Sequence, residues 1–154
     1  MASRCPGRSS RCVWRGMSRI GPRMEESARR PRIAVINDDT VFLELMRDLL
    51  EGEECYEVRV CKEWDDAYDF IKEERPDLII QDIRIGGEEH GWTILNLLTL
   101  DPTTRHIPMI VCSAAVYSLH EHQEILDRYG IRALPKPFDL DTLLGAIQDM
   151  LPKP

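Results

Sequence analysis

Residues 33–50, IAVINDDTVFLELMRDLL, decide the fold because they join a short apolar run to a helical repeat. The run at 33–36 has the length of a strand and is apolar throughout, as expected for a parallel strand covered on both faces. Four apolar residues then follow at the i, i+3, i+4 and i+7 spacing of one helix face: Phe42, Leu45, Met46 and Leu49. The stretch predicts one strand followed by one helix.

The same pattern repeats four more times along the chain. Further strands are predicted at 56–60, 78–82, 107–112 and 131–134, and further helices at 64–71, 92–100, 115–129 and 140–150. Strict alternation of strands and helices implies a parallel sheet with helices on both faces, joined by right-handed crossovers. The predicted fold class is therefore α/β: a doubly wound, five-stranded, flavodoxin-like (βα)5 sheet of order 2-1-3-4-5.

Charge separates a basic arm from an acidic domain. The 154-residue chain is long enough for one domain, and it carries 20 basic and 27 acidic residues. Residues 1–32 hold nine Arg and two Glu, which leaves 11 bases and 25 acids, a net charge of −14, in the rest. This balance argues against nucleic acid as a main partner. We predict a disordered arm at 1–31 and one domain at 32–151.

The basic arm has two interpretations. Its arginines recur every three to four residues up to Arg23 without an acid, which resembles a transit peptide. Alternatively, translation begins at Met24 and the arm is upstream sequence or a flexible tail. We favour the second interpretation, because short biased segments predict function poorly.

Several classes of protein are disfavoured by composition. No stretch approaches ~20 consecutive apolar residues, and no apolar segment follows the early arginines, so neither a membrane span nor a secretory signal is predicted. A cytoplasmic location is expected. The five cysteines contain no C-x-x-C pair, which argues against a disulfide framework or a zinc site. His120 and His122 are two residues apart, hence on different helix faces, and are expected to be solvated.

Polar side chains follow four of the predicted strands. They are Asn37, Asp38 and Asp39 after the first, Asp82 at the end of the third, Ser113 after the fourth and Lys136 after the fifth. Ligands of such sheets bind beyond the carboxyl ends of the strands, so these residues are expected to share one rim. Carboxylates hold Mg²⁺, while a lysine and a hydroxyl stabilise phosphoryl oxygens. The set suits phosphoryl transfer to an aspartate, which gives an acyl phosphate.

Four stretches, each at its own strand, together resemble the response-regulator receiver domain of two-component signalling: IAVINDDTVFLELMRDLL, PDLIIQDIR, HIPMIVCSAA and ALPKPFDLDTLLGAI. The resemblance covers about 32–151. It implies that Asp82 is the phosphoacceptor, Ser113 the switch hydroxyl and Lys136 the phosphate-pairing lysine, with a cis bond between Lys136 and Pro137. It also implies a sensor histidine kinase or phosphotransfer protein as the phosphoryl donor and a protein as the downstream partner. No output domain is expected after the last helix.

The resemblance implies a Mg²⁺ site formed by Asp82, Asp38, the backbone carbonyl of Arg84 and, through a water, Asn37. In receivers, the apolar positions of the first helix lie four, seven, eight and eleven residues after the second acid of an acidic pair. Counting from Asp38 reaches only apolar residues, whereas counting from Asp39 reaches a charged one. Asn37 therefore takes the place of the first acid, and weaker metal binding is expected.

Three further departures from the family pattern concern the switch residue and the loop after Asp82. Ala133 stands where an aromatic residue usually turns inward on activation. Arg84, two residues after the phosphoacceptor, either shields the acyl phosphate, pairs with Glu88 or Glu89, or is a solvated loop charge. The segment after Asp82 is also one residue longer than usual, so its geometry stays open.

Two other functions compete with a phosphorylated receiver. A receiver-like interaction module that takes no phosphate is supported by Asn37 and Ala133 and opposed by the four residues expected to do the chemistry. A phosphohydrolase of the haloacid-dehalogenase type is suggested by Asp39-Thr40 but rejected, because its motif needs an aspartate at position 37. No enzymatic activity is expected beyond self-phosphorylation and self-dephosphorylation at Asp82.

Overall fold

The computed structural model describes residues 30–53, 56–85 and 87–151. Most of the predicted basic arm, and the alternative start at Met24, lie outside the described residues. The last two arm residues are described and contact the segment that follows residue 55. A guanidinium nitrogen of Arg30 donates to the Tyr56 carbonyl at 2.8 Å, and the Glu57 amide donates to the Pro31 carbonyl at 2.8 Å. Contact with the domain is thus already present at Arg30.

The sheet consists of β1 (Arg32–Ile36), β2 (Glu57–Cys61), β3 (Leu78–Asp82), β4 (Met109–Ser113) and β5 (Arg132–Pro135). All pairings are parallel, and the order β2-β1-β3-β4-β5 confirms the predicted topology. Ile36 pairs with Gln81, Asp82 with Cys112 and Ser113 with Pro135. The residues that end or follow these strands therefore meet at one edge of the sheet.

Helices cover both faces of the sheet: α1 (Thr40–Arg47), α2 (Ala67–Glu74), α3 (Gly91–Leu100), α4 (Val116–Glu121), α5 (Gln123–Tyr129) and α6 (Leu140–Met150). A π-helical segment, Asp48–Glu53, continues α1, and a 3₁₀ turn, Trp64–Asp66, precedes α2. One apolar core packs beneath α2 to α5, and the other beneath α1 and α6. Among the helices described, none is both long and apolar enough to cross a bilayer.

Helix α1 buries a face that matches the predicted one only in part. Met46 is buried and Phe42 and Leu49 are half-buried against the same core, as predicted, but Leu45 remains 48% exposed and the core residues Leu43 and Leu50 were not predicted. Two overlapping apolar stripes are present in this helix, and the sequence alone does not rank them. The apolar pattern of α1 therefore does not by itself fix the register of the acidic pair.

The predicted helix at 115–129 is two helices instead of one. His122 separates α4 from α5 with a backbone conformation (φ −101°, ψ 15°) outside the α-helical range. Helix α5 then ends at Gly130, whose φ of 67° lies in the left-handed region that favours glycine. The break leaves α4 with only six residues, which matters for the surface next to the site.

Candidate functional site

Asp82 is the centre of the cluster at the carboxyl edge of the sheet. The ammonium Nζ of Lys136 donates to Asp82 Oδ2 at 2.7 Å, and the side-chain amide of Asn37 lies 3.4 Å from the same oxygen. The other oxygen, Oδ1, accepts the backbone N–H of Arg84 at 3.3 Å. The Asp82 side chain is 9% exposed and the Lys136 side chain 31% exposed. The carboxylate is thus nearly buried, held by donors and charge-compensated by one lysine.

The backbone fixes the lysine beside the sheet edge. The Lys136 amide donates to the Ser113 carbonyl at 2.8 Å, which continues the β4–β5 ladder by one residue. The following Lys136–Pro137 peptide bond is cis, as expected from the resemblance. Ser113 itself is buried, and its Oγ accepts the Ala115 amide at 2.9 Å.

Asn37, Asp38 and Asp39 occupy distinct positions. The Asn37 side chain is buried, and its Oδ1 accepts the Asp39 amide at 2.9 Å. A backbone amide can only donate, so this contact orients the Asn37 amide group with its nitrogen toward Asp82. Asp39 is exposed and caps α1, accepting the amides of Val41 and Phe42. Asp38 is exposed on the rim between them.

Mg²⁺ in proteins is usually held by one or two carboxylates together with waters and phosphate oxygens; Asp82 is the carboxylate of this cluster, and the acidic Asp38 follows β1 in the sequence. Within the described ranges, no group of three or more His, Cys, Asp and Glu side chains could hold a metal ion. In this arrangement Asn37 directs its N–H toward Asp82, and its Oδ1 accepts the Asp39 amide with one of its two lone pairs.

Arg84 does not pair with either of the glutamates considered for it. The guanidinium is exposed and donates to the Gly87 carbonyl at 3.3 Å. The loop is stabilised instead by Ile85, whose side chain is buried and whose amide donates to the Glu88 carbonyl at 2.9 Å. Gly87 has a φ of 84°, a turn conformation that an L side chain would strain.

Two residues that the sequence did not single out fix the backbone behind Asp82. The Gly91 amide donates to the Ile83 carbonyl at 2.8 Å, and the Gly91 carbonyl accepts from Gln81 Nε2 at 2.8 Å. A Cβ atom at Gly91 would lie 2.5 Å from Ile83 Cα and 2.6 Å from the Asp82 carbonyl oxygen. Only glycine fits this close to the Asp82–Ile83 backbone, although no local sequence motif indicates that a glycine is required at position 91.

The cysteine beside Ser113 is not a reactive thiolate. Burial in the apolar core, together with the negative charge of Asp82, raises the pKa of Cys112 to about 12, and Lys136 offsets only part of this effect. At neutral pH the group is a thiol. It packs with the apolar residues beneath α1 and α6.

Residues 33–148 match the family model of the response regulator receiver domain. The chain belongs to this family. Receiver domains are in general signalling modules rather than enzymes, and the family does not support the phosphohydrolase alternative.

Similar proteins and structures agree with this assignment. The polar-differentiation response regulator DivK of Brucella anthropi is 29% identical over 120 residues, covering 77% of this chain and 94% of that protein. The fold is similar to the chemotaxis response regulator CheY4 of Vibrio cholerae, with a TM-score of 0.67, 21% identity, and coverage of 79% and 99% of the two chains. It is also similar to the receiver domain of a Pseudomonas aeruginosa sensor histidine kinase, which has a magnesium ion coordinated in its active-site cleft, with a TM-score of 0.65, 21% identity, and coverage of 79% and 97%.

Proposed function

We propose that this receiver domain accepts a phosphoryl group on Asp82 from a phosphohistidine of a sensor kinase or phosphotransfer protein, and signals by binding a protein partner. The 2.7 Å contact between Lys136 and the buried Asp82 carboxylate carries the proposal. A lysine fixed by strand pairing against a buried aspartate is poorly explained as surface charge. It suits a site that gains negative charge when it reacts.

The proposed reaction is a displacement at phosphorus. An oxygen of the Asp82 carboxylate attacks the phosphoryl group, an O–P bond forms, the P–N bond to the donor imidazole breaks, and the imidazole nitrogen keeps the electron pair. Lys136 stabilises the added charge through its ammonium group. The Ser113 hydroxyl turns to donate to a phosphoryl oxygen, and the Arg84 amide holds the carboxylate in place.

The site is proposed to work with Mg²⁺ held by Asp38, Asp82 and the backbone carbonyl of Arg84. When bound, the ion would neutralise phosphoryl oxygens during the transfer. Asn37 is uncharged where the family usually has an acid, so Asp38 and Asp82 would be the two carboxylates that hold the cation. We therefore expect weaker Mg²⁺ binding than in a site with three.

A receiver-like interaction module that takes no phosphate is the second candidate. It is favoured by Asn37 and Lys136, which both contact the same Asp82 oxygen, and by the half-buried Ala133 in place of an aromatic switch. The two candidates differ in whether Asp82 reacts.

Intact mass spectrometry after incubation with Mg²⁺ and a small acyl or amido phosphate separates these candidates. We expect a gain of one phosphoryl group in the wild type, loss of that gain in Asp82→Asn, and its retention in Asp39→Asn, because Asp39 only caps α1. An unmodified wild type would favour the interaction module. Labelling that persists in Asp82→Asn would place the acceptor elsewhere.

A further inference from the structure

A hydrogen-bonded cluster joins the loop after Asp82 to helix α4. The indole Nε1 of Trp92 donates to Ser118 Oγ at 2.9 Å and lies 3.2 Å from Glu89 Oε1, and Ser118 Oγ donates to the same Glu89 oxygen at 2.9 Å. Trp92 and Ser118 are buried, while Glu89 is exposed. We call Glu89, Trp92 and Ser118 the latch.

The latch is connected to the phosphoacceptor strand through backbone contacts. Gly91, directly before Trp92, is hydrogen-bonded to Ile83 through its amide and to Gln81 through its carbonyl. Its Cα packs so closely on the Asp82 peptide that no Cβ fits. A shift of the backbone at Asp82 is therefore passed to Trp92 through groups already in contact.

Helix α4 depends on neighbouring contacts for its position. Six residues form too few internal hydrogen bonds to be stable alone. Its start receives no side-chain cap from Ala115, whose amide instead uses Ser113 Oγ as its acceptor. At its other end the His122 ring stacks on Trp92 at 3.8 Å between centroids, contrary to the expectation of a solvated histidine. The helix is thus held at its start by the switch hydroxyl and along its length by the latch.

We propose that the latch transmits phosphorylation of Asp82 to helix α4. In the family pattern an aromatic residue takes part in the switch, and Ala133 stands in its place here. The proposal rests on the proposed function. When Ser113 turns to a phosphoryl oxygen, the Ala115 amide loses its acceptor and the start of α4 is released. The latch then keeps Ser118 with Trp92, so α4 moves as a unit and the exposed Val116 and Tyr117 side chains move with it.

The test uses the full chain in the wild type and in Glu89→Ala, Glu89→Gln, Ser118→Ala and Glu88→Ala. Glu88 is the matched control, because it neighbours Glu89 but its side chain is 78% exposed and, among the residues that the structure describes, pairs only with His90, at 4.0 Å. Each protein is measured before and after treatment with Mg²⁺ and a small acyl phosphate. Intact mass reports modification, hydrogen exchange of 116–121 reports α4, and the indole N–H resonance of Trp92, assigned with Trp92→Phe, reports the latch.

In the wild type, phosphorylation should shift the Trp92 indole resonance and raise exchange at 116–121. Without phosphate, Glu89→Ala should exchange about fivefold faster at 116–121, the effect of the one hydrogen bond that α4 loses, and Ser118→Ala should exchange at least as fast, because it removes both bonds of α4 to the latch. Both variants should still be phosphorylated, but hydrogen exchange at 116–121 and the Trp92 indole resonance should then change little. Glu89→Gln keeps an acceptor in place and should restore the response, and Glu88→Ala should behave as the wild type.

Two results would overturn the latch while the proposed function stands: an Asp82 that is modified with no change at 116–121, or a Glu89→Ala protein that matches the wild type throughout. A wild type that gains no mass would refute the proposed function and the coupling together. The mass measurement therefore distinguishes the two failures.

Discussion

Replacing Asn37 by Asp tests the electrostatics of the site. The Asn37 amide nitrogen lies 3.4 Å from Asp82 Oδ2, so the variant places a second carboxylate at about this distance. At an effective dielectric constant of 20, two such charges repel by roughly 5 kcal/mol. Lys136, at 2.7 Å from the same oxygen, offsets part of this repulsion. We expect the metal-free variant to lose about 1–2 kcal/mol of stability.

In the presence of Mg²⁺ the added charge acts in the opposite direction. A third carboxylate attracts the cation, but desolvation and repulsion between the acids cancel much of the gain. We expect a net effect of about 1 kcal/mol, or roughly fivefold tighter binding. Calorimetric titration measures the affinity. Thermal unfolding should show a lower Tm for Asn37→Asp without Mg²⁺ and a larger increase in Tm when the ion is added.

Two variants control for the position of the charge. Asp39→Asn keeps a good helix cap and should leave Mg²⁺ affinity nearly unchanged, whereas Asp38→Asn should weaken binding sharply. If Asp39→Asn abolishes binding while Asn37→Asp changes nothing, then Asp38 and Asp39 form the acidic pair and the reasoning is refuted.

Two further predictions concern stability. Gly91→Ala should lower the free energy of unfolding by about 1–3 kcal/mol, because the added Cβ meets backbone atoms. The control is Gly145→Ala in α6, where the space is open, and it should raise the free energy of unfolding by about 0.4–1 kcal/mol. Equal effects of the two substitutions in urea unfolding would contradict the steric argument. Hydrogen bonds from the Tyr68 hydroxyl and from the Thr103 amide and hydroxyl hold the pKa of Asp101 well below its usual range. The Asp101 carboxylate therefore stabilises the fold above about pH 4, and this contribution is lost as the pH falls further. Asp101→Asn should lower Tm at pH 7, by a difference that narrows below about pH 4; a difference independent of pH would contradict this.

The fold was predictable because its signals are local and repeated. Each strand is a short apolar run, each helix follows at a regular spacing, and five such units leave few topologies. Where two local signals overlapped, the prediction was only partly right. Helix α1 carries apolar residues at neighbouring positions, so the choice between burying Leu43 or Leu45 depends on how the Asp39 cap starts the helix and how the π-helical segment ends it.

Asp82, Ser113 and Lys136 could be placed at one edge from sequence because each follows a strand, and parallel strands end together. The contacts of Asn37 could not be placed. Its oxygen is used by the Asp39 amide, which turns its nitrogen toward Asp82. Sequence supplies the residue type but not the rotation of the amide, and that rotation decides whether the side chain offers a lone pair or a hydrogen atom.

The latch illustrates why residues that would couple the site to α4 are harder to predict from sequence than residues that follow a strand. Trp92 and Ser118 are 26 residues apart and Glu89 and Ser118 are 29 apart, and none of the three resembles a motif. A tryptophan at a helix start predicts core packing, a serine in a helix predicts little, and a glutamate in a loop predicts solvation. They meet where Gly91 packs α3 against the Asp82 peptide and where α4 ends at His122. The residues proposed to react follow the ends of strands, whereas the contacts of the latch depend on how α3 and α4 pack.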